Sequence, residues 1–197
     1  MPSLTPSEPP ASQPSVLAPY PEQFQRVEAR PIAARRIDGL DGTRVGFIDN
    51  RFTSLGFFHG EIRRLLEHQA ITAVVERKRS FGAPLEPAQL ARLVADTDVV
   101  VSGLCNTPPS SAWGVHDSIE LERAGIPTVT IATAYYEELV AESALTEGMP
   151  DLRRVILPYP LEGQPEADVR AIARQALEPI MAALTDPAAE TTVRVSG

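Results

Sequence analysis

The run Asp98-Val-Val-Val-Ser-Gly103 decides the fold. It is β-branched and almost continuously apolar, whereas a strand with one wet face alternates polar and apolar residues. A strand covered on both faces shows no alternation, and such strands belong to parallel sheets flanked by helices. Matching units lie on either side. Upstream, Arg44-Val-Gly-Phe-Ile-Asp49 follows the turn Asp41-Gly42 as strand one. A helix from about Leu55 to Gln69 comes next, with Ile62, Leu65 and Leu66 at core spacing, and Thr72-Ala-Val-Val-Glu76 is strand two. Pro87 suits the first turn of a second helix, whose buried stripe is Leu90, Leu93 and Val94.

Downstream, a loop from Leu104 to Gly114 feeds a helix that stops at Gly125, where a left-handed cap is natural. Pro127-Thr-Val-Thr-Ile131 is strand four, followed by a helix containing Tyr135 to Leu145, and Arg154-Val-Ile-Leu157 is strand five. The last helix carries Val169, Ile172, Ala173, Ala176, Leu177, Ile180, Met181 and Leu184 on one stripe, with Pro179 expected to kink it. Five strand-helix alternations predict an α/β fold: a doubly wound five-stranded parallel sheet in the flavodoxin-like order 2-1-3-4-5. Residues 40–186 form this single domain. Residues 1–30 are expected to be a Pro-rich arm, disordered or draped on the surface, and 187–197 a frayed tail.

Composition narrows the function. A formal charge of −8 argues against a phosphate-backbone partner, so no nucleic acid is expected. The basic runs Arg35–Arg36 and Arg77–Lys78–Arg79 read as solvated strand and loop ends, or as an anion-facing rim. No secretory signal and no apolar run of about 20 residues occurs, so no membrane partner is expected. The lone cysteine, Cys105, precludes an internal disulfide and suits a reducing compartment, which makes the cytoplasm the expected location.

In the order 2-1-3-4-5 the winding reverses between strands one and three, and ligands bind in the crevice outside their carboxyl ends. The loops reaching it are Asp49 to Gly60 and Leu104 to Asp117. Four residues are candidates for chemistry. Cys105, near a helix start, would be shifted toward thiolate, although a free cysteine also fills small apolar gaps. His116 would be its acid/base partner, or merely a residue that packs at a helix start. Asp117 or Asp49 would orient the imidazole, although Asp49 is equally a turn residue after a strand. Asn50, Arg51, Asn106, Thr107, Ser110, Ser111 and Tyr135 are candidate substrate-binding groups, with Trp113 as an apolar wall. There is no G-x-G-x-x-G, P-loop, G-x-S-x-G or His-Glu-x-x-His, and His59, His68 and Cys105 have no zinc spacing. No metal is expected, and the cofactor stays unassigned.

The segments Asp98-Val-Val-Val-Ser-Gly-Leu-Cys105 and Val115-His-Asp-Ser-Ile-Glu-Leu-Glu-Arg-Ala-Gly-Ile-Pro-Thr-Val129 resemble the UGSC-like family. These are flavodoxin-like bacterial proteins named for a selenocysteine-Gly-Ser-Cys motif after strand three. The resemblance extends from Leu40 to Leu161 and carries His116 and Asp117 over directly. Counted back without a gap, it puts Thr107 at the selenocysteine position and Ser110 at the cysteine position. Cys105 stands two residues off, and substitutes only if the loop has an insertion at Pro108-Pro109.

Three functions compete on these grounds. One is an enzyme, or catalytic subunit, acting on a small polar or anionic substrate by thiol-dependent transfer or addition/elimination. Another is a subunit of a hetero-oligomer that shares a site with a homologous chain. The third is a flavin- or phosphate-binding module. A homo- or hetero-oligomer is expected, with the consecutive Phe57 and Phe58 and the Pro-rich arm as docking elements.

Overall fold

The computed structural model describes residues 34–196; the arm expected at 1–30 lies outside them. The elements run β1 (Arg44–Asp49), α1 (Thr53–Leu66), β2 (Thr72–Arg77), α2 (Pro87–Asp96), β3 (Val99–Cys105), α3 (Pro108–Arg123), β4 (Thr128–Thr133), α4 (Glu137–Thr146), β5 (Arg154–Leu157), α5 (Glu166–Thr185) and β6 (Thr192–Arg194). All strand pairs are parallel, in the order β2-β1-β3-β4-β5-β6. The sheet therefore has six strands, not five. The extra strand comes from the segment expected to fray, where three residues are too few to carry a periodicity. Among the described residues no helix is long and apolar enough to cross a membrane.

The two faces of the sheet pack differently. Val45, Phe47, Val101, Ile131 and Val155 meet Leu55, Phe58 and Ile62 of α1 and Val169, Ala173 and Ile180 of α5. On the other face Ile48 and Val100 meet Leu93 of α2 and Leu121 of α3. Farther along that face, Ala132 and Ile156 meet Val115 and Ile119 of α3 and Val140 of α4. Gly46 is required by this second layer, because a Cβ there would stand 2.8 Å from Val100 Cγ2. Phe58 is fully buried and Phe57 packs partly against the core, so the expected Phe docking patch is not presented. Arg36 is also buried rather than solvated. Its guanidinium donates to Glu122 at 2.9 Å, and that carboxylate also accepts the Thr128 amide at 2.7 Å.

His59 belongs to the core. It is buried edge-on against Phe47, ring centroids 5.1 Å apart, and burial holds it far below the usual histidine range, at about 3. An unfolded chain binds this proton near pH 6.5, whereas the folded chain binds it only near 3. The contribution to stability is therefore complete above pH 6.5 and is lost as pH falls. Urea unfolding between pH 7 and 5 is expected to weaken more steeply in wild type than in His59→Leu, by up to about 1.4 kcal/mol per pH unit. Equal slopes would place a charged imidazole in the native core.

Candidate functional site

Helix α3 starts with a capping box at Thr107. The Thr107 hydroxyl accepts from the Ser110 amide at 3.3 Å, and Ser110 Oγ accepts from the amides of Asn106 and Thr107 at 3.0 and 2.9 Å. The two hydroxyls lie 3.0 Å apart. Both residues thus serve to start the helix. Pro108 and Pro109 follow and have no N–H to offer a ligand.

No hydrogen bond or ion pair joins any two of the four candidates for chemistry among the described residues. Cys105 is the last residue of β3, not part of the loop, and is fully buried with Val115, Ala132 and Met149. Its sulfur lies so close to α3 that a Cβ on Gly114 would stand 2.7 Å from it. Burial pushes the thiol up to about 12, with Lys78 opposing and Asp117 reinforcing; the expected shift toward thiolate is reversed. His116 is half-exposed, and its Nδ1 lies 3.0 Å from Glu147 Oε2 with Trp113 edge-on at 5.6 Å. Trp113 thus flanks His116 rather than walling a thiol site.

Asp117 does not orient the imidazole; adjacent helix residues face apart. It turns inward, where Oδ2 accepts from Lys78 Nζ at 2.5 Å and Oδ1 from the Leu85 amide at 2.9 Å. Burial raises this carboxyl, and Lys78 pulls it back. Asp49 pairs with Arg77 at 3.1 Å and accepts the Arg51 amide at 2.7 Å. It is a turn residue, and Arg51 occupies the left-handed region with φ 79°.

The binding candidates fare differently. Asn50 and Asn106 bridge the carboxyl ends of the central strands. Asn50 Nδ2 donates to the Leu104 carbonyl at 2.8 Å, next to the cis Gly103–Leu104 peptide, and Asn106 Oδ1 accepts from Thr133 Oγ1 at 2.8 Å. Asn50 Oδ1 and Ser111 Oγ are buried with no hydrogen-bond partner among the described residues. Tyr135 is 71% exposed and stacks on Tyr159 with centroids 5.1 Å apart, on the rim beyond β4 and β5.

Several contributors carried no local signal. Lys78, directly after β2, is buried against α3. Glu162, from the loop after β5, accepts the Thr53 and Ser54 amides at 3.2 and 3.1 Å and the Ser54 hydroxyl at 2.6 Å, filling the amino terminus of α1. Phe52 and Phe81 stack at 5.4 Å and join the loops after β1 and β2. Of the run Arg77–Lys78–Arg79, Arg77 pairs with Asp49 and Lys78 is buried, while Arg51 and Arg79 have no carboxylate partner among the described residues.

A six-stranded all-parallel sheet with helices packed on both faces defines an α/β domain. Within that class the chain belongs to the UGSC family, whose model matches residues 15–186. Among solved structures it is similar to an ABC sugar transporter subunit from Rhodobacter sphaeroides 2.4.1. The two are 18% identical with a TM-score of 0.34, the match covering 80% of this chain and 57% of that one. No curated protein matches the sequence.

Proposed function

We propose that the chain is an enzyme, or a catalytic subunit, acting on a small polar or anionic molecule in the crevice between β1 and β3, without a thiol. One observation carries the reading: Asn50 Oδ1, just past β1, and Ser111 Oγ, in the first turn of α3 after β3, are buried without a hydrogen-bond partner among the described residues. Each such group costs about 1–3 kcal/mol when left unpaired, a cost a ligand would remove. The positions equivalent to the family's selenium and sulfur are hydroxyls, and the only thiol is buried. Redox chemistry at this point would need a second chain, and the exposed Tyr135 and Tyr159 beyond β4 and β5 favour that subunit reading as the alternative. A flavin or phosphate fits less well, because Glu162 fills the start of α1 and prolines occupy the start of α3.

The test is a comparison of two alanine variants. Ser111→Ala is expected to leave stability unchanged or raise it by up to about 1 kcal/mol, since it removes an unpaired buried hydroxyl. Thr107→Ala, which removes a cap, is expected to cost about 1 kcal/mol. A comparable loss in Ser111→Ala would mean that its hydroxyl has a structural partner, and the reading would lose its main support.

A further inference from the structure

Resting on that reading, we infer that the crevice takes a small carboxylate that also bears a hydroxyl or amino group, with Lys78 receiving the carboxylate and Asn50 Oδ1 the donor. Lys78 and Asn50 are neighbours by register. Asp49 pairs with Arg77 in the β1–β2 ladder, and the Lys78 amide continues it by donating to the Asp49 carbonyl at 2.8 Å. One step further, Asn50 and Lys78 stand side by side on adjacent strands, about 5 Å apart in backbone. Strand alternation gives both side chains the face of Ile48 and Glu76, which is the α2–α3 face. The Lys78–Asp117 bond fixes that direction for Lys78.

The unmet capacity at the two residues is complementary. Lys78 has a side chain 2% exposed, and an ammonium carries three donors. Among the described residues its Nζ has one acceptor, Asp117. The orientation of the Asn50 amide is set by the Leu104 carbonyl, which accepts only from the NH₂ end. What remains unpaired is therefore an acceptor, Oδ1. A ligand bridging the two must accept at one end and donate at the other, as a hydroxy or amino acid does. Charge favours the anionic form, since Arg51 and Arg79 at this end have no carboxylate partner among the described residues. A phosphate needs several convergent backbone donors, and both nearby helix starts are already occupied.

The experiment is calorimetric titration of the full chain with acetate, glycolate, glycine and inorganic phosphate. Glycolate or glycine is expected to bind about tenfold tighter than acetate, the difference being the bond to Asn50. Phosphate is expected to bind more weakly than any of them. Asn50→Leu leaves the Lys78–Asp117 pair alone and should bring glycolate down to the level of acetate. Lys78→Gln should weaken all the carboxylates at least tenfold. The inference is overturned if no carboxylate binds, if acetate equals glycolate in wild type, if phosphate binds as tightly, or if folded Lys78→Gln binds undiminished. A neutral Ser111→Ala beside a failed titration would sink this inference alone, whereas a destabilised Ser111→Ala would remove the reading beneath it.

Discussion

Asp117→Ala is expected to lower stability by about 3–5 kcal/mol, enough to unfold much of a marginally stable domain. The size follows from what the substitution leaves behind. Lys78 and Asp117 are both nearly inaccessible to solvent, and without the carboxylate the ammonium loses its acceptor while the Leu85 amide loses its own. The intact pair contributes little, because desolvation of two charges offsets most of their attraction; breaking it is what costs. Asp117→Asn keeps an acceptor for Leu85 and should fall between the alanine variant and wild type. Denaturant midpoints read the effect directly. An Asp117→Ala protein as stable as wild type but inactive would return Asp117 to a catalytic role.

The second large effect concerns Cys105. Alkylation of the native protein by iodoacetamide at neutral pH is expected to run more than about tenfold slower than alkylation of the urea-unfolded chain. The thiolate is the reactive form, and raising the thiol from 9.0 to about 12 removes three orders of magnitude of it before access is considered. Cys105→Ala should keep ligand binding and activity and cost about 1–2 kcal/mol for the small void left beside Val115 and Ala132. Rapid native labelling, followed by mass spectrometry, would mean that the sulfur is reachable and would revive a thiol mechanism.

The sheet was legible because its signal is local. Three valines with no polar alternation marked β3 as covered on both faces, and all seven of its residues are buried. The end of that strand was not legible. Gly103 and the polar residues after Cys105 suggest a loop, but Leu104 and Cys105 continue the strand across a register irregularity between Ser102 and Cys105. Those two residues move the thiol from the crevice into the core, and with it the whole proposed Cys–His pairing. The ungapped count to Thr107 and Ser110 needed no such boundary, and the two hydroxyls do meet. Lys78 was hidden for another reason: Asp117 lies 39 positions away, and Glu162 lies 108 from Ser54, so no window of sequence contains either pair.

Glu162 has one more consequence, best expressed as an effective concentration. A side chain held by its own backbone faces the start of α1 at an effective concentration far above the millimolar range typical of flexible linkers. A free anion meeting those amides competes against a tethered carboxylate with three bonds already made. Abundant solution phosphate would displace it only at concentrations beyond any ordinary buffer. The chain thus carries an internal competitor that keeps background anions off the start of α1.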